Sequence, residues 1–288
     1  VIIASPHTLH HEHAKAAISA NCHVLIDKPM TTSADDARDL ESLARAAGVR
    51  IAVPFGWNFT PFVATAAQAI RQGRIGNVQH VACHIASATY DLFSGEGLSN
   101  SQGHTFQPTA STWSDPERAG GFGWGQLSHG LGLMFRLLDL EPQQVMAMRT
   151  LSPTGVDLCD AAILRFRGGA QATISGSALL PKHAKKQLDL RIFGTEGVMS
   201  LDMERPSLEL RRVDGDDIIL DLPPDAGDYD TTEALRRFCD MCVGGPAIEE
   251  ADGTIGRRTI DVLDAMYRSF NTGKAEAVLP APNPKDAK

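Results

Sequence analysis

The runs Val1-Ile2-Ile3-Ala4, His23-Val24-Leu25-Ile26 and Arg50-Ile51-Ala52-Val53-Pro54 decide how this chain folds. Each is short, apolar and rich in β-branched residues, and the gaps between them carry a helical period. Residues 10–20 place Ala14, Ala17 and Ile18 at spacings of three and four. Residues 34–47 set Ala37, Leu40, Leu43, Ala44 and Ala47 on one stripe. Ser33 is the N-cap of that stripe, Asp36 makes a capping-box variant, and Gly48 is the stop. Strand, helix, strand, helix and strand in so short a span predict a parallel sheet with right-handed crossovers. The first run, closed by Ser5-Pro6, reads as a buried central strand, which needs partners on both sides. The expectation is therefore that chain preceding Val1 is missing from this sequence. Ligands of open parallel sheets gather beyond the carboxyl ends of the strands, so residues 5–10, 27–30 and 54–61 are where chemistry is expected.

Further along, Thr60-Pro61 reads as an N-cap with proline at the first helical position, and Gly73 closes that helix. Residues 78–87 read as extended. Residues 92–118 are rich in Gly, Ser, Thr and Asn and predict a long irregular loop. Residues 125–140 read as a helix with Leu127, Leu131, Met134, Phe135 and Leu138 in register. Residues 145–222 run strand after strand, with turns at Gly168-Gly169 and Asp214-Gly215-Asp216, and predict an antiparallel sheet. Helices over 231–243 and 251–272 follow, and Pro280 opens a coil tail. The expected division is a parallel α/β piece over 1–58 and an α+β domain over 59–288, the final helix packing back on the first piece.

Composition narrows the function. Of 288 residues, 43% are hydrophobic and 22% charged, which suits a packed core and excludes a disordered chain. Lys plus Arg number 27 against 35 acids, a net charge of −8, so nucleic acid is not an expected partner. No apolar run approaches the ~18 residues of a membrane span. Five cysteines, an odd number scattered along the chain, fit reduced thiols and a cytoplasmic location, although a signal peptide stays open if the true start is missing.

Among candidate functional groups, Asp27-Lys28-Pro29 stands at a strand end. A lysine there can donate to a substrate hydroxyl, and a cis Pro29 would aim it into a cleft; a plain solvated turn is the competing explanation. His7, His10, His11 and His13 have spacings that could share a helix face, but no carboxylate or cysteine cluster completes a metal set, and no metal is expected. Cys239-Asp240-Met241-Cys242 lies in an apolar helical pattern and reads as core cysteines. Trp113 and Tyr90 could stack on a sugar ring or simply pack.

Ser5-Pro6-His7-Thr8-Leu9-His10 followed by Cys22-His23-Val24-Leu25-Ile26-Asp27-Lys28-Pro29-Met30 resembles the Gfo/Idh/MocA oxidoreductase family. Its pattern there is a Thr-Pro-x-x-x-His turn and then His-Val-Leu-x-Glu-Lys-Pro. The resemblance continues in Gly73-Arg74-Ile75-Gly76-Asn77-Val78, Ile192-Phe193-Gly194-Thr195-Glu196-Gly197 and Asp264-Ala265-Met266-Tyr267-Arg268-Ser269. It implies a partial Rossmann parallel sheet followed by an α+β domain with an open, largely antiparallel sheet. It also implies NAD or NADP as cofactor, while the Gly-rich dinucleotide fingerprint is absent from this sequence.

The resemblance further implies an NAD(P)-dependent dehydrogenase or reductase acting on a secondary hydroxyl of a sugar, cyclitol or related polyol. Lys28 would bind and polarise the hydroxyl, and His129 would move its proton. Ser5, Pro6, His10, Asp27, Lys28 and Pro29 would line the cofactor, and Trp57, Asn58 and Gln126 the substrate. Departures from the family pattern are Gly125 and Gly132, where carboxylates stand four before and three after the histidine, Asp27 for glutamate, and Trp57-Asn58 near the third strand. Two alternatives follow from the same resemblance, a non-catalytic dinucleotide- or sugar-binding regulator and an NAD-dependent glycoside hydrolase. An exposed sheet face implies a homodimer or homotetramer.

Overall fold

The computed structural model describes residues 1–97 and 110–278. β1 (Ile2–Ile3), β2 (Val24–Ile26) and β3 (Ile51–Ala52) form a parallel sheet in the order β1-β2-β3, with Ile3 opposite Ile26 and Val24 opposite Ile51. Their crossovers are a 3₁₀ turn at His7–Leu9 continuing into α1 (His10–Ser19), and α2 (Ala34–Ala47). α2 forms as its stripe predicts: Ala37, Leu40 and Ala44 are buried, Ser33 Oγ accepts from Asp36 N, and Gly48 ends the helix at φ +66°. Among the described residues β1 pairs with β2 on one side, with Ile3 buried and Ile2 55% exposed.

α3 (Pro61–Arg71) starts with proline at its first position, but Thr60 does not cap it; the Thr60 hydroxyl donates to Trp57 O instead. The chain then enters a nine-stranded sheet. Its strands are β4 (Val78–Ala86), β5 (Pro142–Leu151), β6 (Asp157–Phe166), β7 (Gln171–Ser177), β8 (Gln187–Gly194) and β9 (Gly197–Asp202). β10 (Ser207–Arg212), β11 (Ile218–Leu220) and β12 (Glu276–Ala277) complete it, in the order β11-β10-β9-β8-β4-β7-β6-β5-β12. It is antiparallel except where β4 runs parallel to β7, which makes it mixed. The long connection between β4 and β5 allows that pairing. It holds α4 (Tyr90–Phe93), α5 (Ala110–Trp113), a π-helical turn at Gly123–Leu127 and α6 (Ser128–Leu137). The expected helix from 125 to 140 thus begins as a π turn and ends earlier. The middle of the 92–118 loop and the Pro280 tail lie outside the described residues.

α7 (Glu233–Cys242) buries Ala234, Phe238 and Met241 and leaves Cys239 and Cys242 exposed, so the expectation of core cysteines is corrected. The buried stripe falls one residue before each cysteine. α8 (Gly253–Thr272) packs on α2, where Asp261 receives Arg38 at 2.6 Å and Arg257 at 2.5 Å. α6 lies almost wholly buried, while the sheet's outer face shows Met146, Met148, Ile163 and Phe193 to solvent. Among the described residues, no helix is long and apolar enough to cross a membrane.

Candidate active site

The loops beyond β1 and β2 are tied together by one ring. His10, fully buried, contacts Pro29 O through Nδ1 and Ser5 O through Nε2, both at 2.8 Å. A neutral imidazole donates to only one of these carbonyls at a time. His10 therefore reaches any ligand through the loops it holds rather than by touch. Ser5 and Asp27 sit at the surface of these loops, with Pro6 exposed beside them and Pro29 buried behind. The Lys28–Pro29 peptide is cis. A cavity of about 220 Å³ opens beside them, lined by Ile2, Ile3, Ala4, Leu25, Asp27, Pro54, Thr231 and Leu235. The remaining histidines are spent separately: His7 on Ala119 O, His11 on Asp39 and His13 on Ser5 Oγ.

From the second domain comes the turn that carries His129. Its glycines make room for what surrounds them. Gly121, at φ +108°, lies where any Cβ would strike Asp157, whose carboxylate accepts from Gly123 N and from Tyr267 Oη at 2.6 Å each. A Cβ on Gly125 would stand 2.9 Å from the Trp113 ring, and one on Gly132 2.7 Å from Phe55. The carboxylates that the family pattern carries at these two positions have no room here, because aromatic rings fill the space.

Lys28 crosses to this turn and its Nζ donates to Gly125 O at 2.6 Å, 5.0 Å from the centre of the Trp113 ring. One turn on, His129 stands in an aromatic box, its ring centre 5.1 Å from Tyr229, 5.5 Å from Trp57 and 6.4 Å from Phe55. Lys186 holds its Nζ 5.8 Å from the Tyr229 ring. Burial, reinforced by Lys28 and then Lys186, holds the His129 imidazole well below its ordinary range, so it is neutral at physiological pH. Burial brings the Lys28 ammonium down to about 8, with Asp27 pulling the other way and Lys186 adding to the fall. The Tyr229 phenol is pushed up to about 12 by burial, and its hydroxyl donates to Pro54 O. Two buried atoms here lack a partner among the described residues, His129 Nδ1 and Gln126 Oε1.

The structure thus fixes Lys28 to the turn that precedes His129, packs Trp57 against the His129 ring, and buries Gln126 within that same turn. Trp57 stands nearly perpendicular to the His129 ring, at 82°, while its indole N–H donates to Gly227 O. Asn58 is different: fully enclosed, it donates to Gly132 O and Glu250 O and braces α6 from beneath. Sequence reasoning missed Phe55, Tyr229 and Lys186. Tyr229 sits in an Asp-Tyr-Asp coil and Lys186 in a lysine-rich connection, and neither context carries a period or a motif.

A parallel α/β piece whose strand-end lysine reaches the turn before α6, itself packed on an open mixed sheet, defines a two-part α/β and α+β architecture. Residues 1–55 match the model described as "Oxidoreductase family, NAD-binding Rossmann fold", and residues 63–200 match that described as "GFO/IDH/MocA C-terminal domain". The chain belongs to the GFO/IDH/MocA oxidoreductase family. The 1,5-anhydro-D-fructose reductase of Ensifer adhaerens is 25% identical across 96% of this chain and 79% of its own length. The 1-carboxy-3-chloro-3,4-dihydroxycyclohexa-1,5-diene dehydrogenase of Comamonas testosteroni is 30% identical across 62% of this chain, a match spanning 41% of that enzyme. An uncharacterised oxidoreductase of Synechocystis is 40% identical over 79 residues, 21% of its length. Among solved structures, an NAD-binding oxidoreductase from Klebsiella pneumoniae superposes with a TM-score of 0.74 at 22% identity, covering 97% of this chain and 80% of that one. An inositol dehydrogenase homologue from Azotobacter vinelandii, complexed with NADH and myo-inositol, gives 0.71 at 16%, covering 96% and 77%.

Proposed function

We propose that this chain handles the substrate of an NAD(P)-dependent dehydrogenase or reductase acting on a secondary hydroxyl carbon of a sugar, cyclitol or related polyol. The observation that carries the proposal is that Lys28, from the end of β2, reaches across to donate to Gly125 O in the turn that leads into the helix bearing His129. The relatives named above for a sugar-derived reductase and a cyclic diol dehydrogenase support that substrate class. A nicotinamide dinucleotide, when bound, supplies or accepts hydride. The rim residues Ser5, Pro6, Asp27 and Lys28, with the cavity beside β1, suit the nicotinamide end. Neither Ser5-Pro6, Asp27-Lys28-Pro29 nor Pro54-Phe55-Gly56 is a Gly-x-Gly-x-x-Gly turn, so the residues after these strands do not cradle a pyrophosphate.

Within the pocket, the neutral form of the Lys28 amine accepts the proton of the substrate hydroxyl in oxidation, and its ammonium form returns that proton to the carbonyl oxygen in reduction; its lowered basicity suits it to both directions near neutral pH. His129, held neutral, donates its ring N–H to the same oxygen and orients it, and Trp57 and Tyr229 keep water off the reacting face. The open sheet face, with Met146, Met148 and Ile163, is proposed to pack against a second copy of this chain.

The test is production of reduced nicotinamide when the protein is mixed with NAD or NADP and a panel of polyols. Lys28→Ala is expected to lower turnover by about 10²–10⁴-fold. Full turnover in that variant overturns the mechanism.

A further inference from the structure

Resting on the oxidoreductase reading above, we infer that the pocket around His129 takes a substrate carrying a fixed negative charge, a carboxylate or phosphate on the sugar or polyol, held between the amines of Lys28 and Lys186.

Two amines act on His129 through their charge. Lys28 arrives from the end of β2 and is fixed by Gly125 O at 2.6 Å. Lys186, just before β8, places its amine 5.8 Å from the Tyr229 ring, whose other neighbour at 5.1 Å is His129. Among the described residues no carboxylate lies within salt-bridge distance of either amine. The chain is not short of acids, with 35 of them and a net charge of −8. Its neighbouring lysines are paired, Lys182 with Asp91 and Lys185 with Asp228, while Lys186 is left open. The acids that do face the pocket are committed elsewhere. Asp27 accepts from the Lys28 backbone N–H at 2.8 Å, although its field still reaches the Lys28 amine. Asp230 accepts from Thr232 N and Glu233 N at the head of α7.

The fold also denies this pocket an internal counter-ion. An acid at 125 would collide with Trp113 and one at 132 with Phe55. Like charges brought together beside buried rings repel strongly, and an anion between them relieves both. Ammonium groups bind carboxylate or phosphate oxygens equally well, so the inference names the shared charge.

The experiment compares binding of D-glucuronate with uncharged D-glucuronamide, and of D-glucose 6-phosphate with D-glucose. Binding is read from thermal shift and from the methyl NMR signals of reductively dimethylated Lys28 and Lys186, assigned with Lys28→Arg and Lys186→Arg. At least one anion is expected to bind about tenfold tighter than its neutral counterpart and to move both methyl signals. Which anion does so separates carboxylate from phosphate. Lys186→Gln is expected to remove most of that ratio, whereas Lys182→Gln keeps it. Equal affinity for charged and uncharged members, or no response of either amine to either anion, overturns the inference. Binding is measured without turnover, so oxidation of a neutral polyol alongside absent charge selectivity would leave the oxidoreductase reading standing.

Discussion

Between α2 and α8, Arg38 and Arg257 converge on one carboxylate, Asp261, with Glu41 supplying a second acid to Arg257 at 2.9 Å. At the seam of the two domains, the charges of Lys28 and Lys186 both bear on His129, and among the described residues neither amine has an acid within salt-bridge distance. The first cluster is nearly sealed from water and its charges are matched. The second is lined by rings and leaves His129 Nδ1 and Gln126 Oε1 without partners among the described residues. A buried charge that finds its partner inside the protein is structural; one left waiting is available to a ligand.

The widest separation between the two clusters should come from removing one partner in each. Asp261→Ala removes the acid shared by two buried guanidinium groups, leaving Arg38 with Asp35 and Arg257 with Glu41, and is expected to cost about 3 kcal/mol in urea unfolding. Lys28→Met strands nothing and is expected to leave stability unchanged or raise it below pH about 8. Here the sign is fixed by the lowered Lys28 basicity: between about 8 and the ordinary lysine range, the unfolded chain holds the proton more readily than the native one. Native stability therefore rises with pH across that window, and Lys28→Met should flatten the rise. A Lys28→Met protein that unfolds as easily as Asp261→Ala would erase the contrast.

Packing gives the next effect. Gly132→Ala drives a methyl into the Phe55 ring and is expected to cost about 1–3 kcal/mol. Catalytic pH dependence sharpens the functional side: kcat/KM for oxidation should climb as pH rises through about 8, and for reduction should fall there. Smallest of all, Ser33→Ala removes one N-cap bond, a loss of about 0.5–1 kcal/mol in the same urea experiment.

Much of the first domain was legible because its signals are local. Ser33, the Ala37–Leu40–Ala44 stripe and Gly48 are read from neighbours in sequence, and the structure keeps them. The resemblance located Lys28 and His129 and led to the family. What stayed hidden depends on distant partners. β4 pairs in parallel with β7 across a long connection. The π turn before α6 has its first N–H, from Gly123, bonded to Asp157 far along the chain. Tyr229 and Lys186 join the pocket only when the coil before α7 and the segment before β8 come together. Cys239 and Cys242 miss the buried side of α7 by a single step, a distinction that composition cannot make.

The contact between Gly125 and Trp113 also constrains how this pocket could change over generations. An acid cannot be gained at 125 while the indole stands in its way, and shrinking the indole first would strip the lysine of its aromatic neighbour before a carboxylate could replace it. Any path between the two versions of the pocket must pass through an intermediate with neither, so the two positions are expected to be exchanged together or not at all.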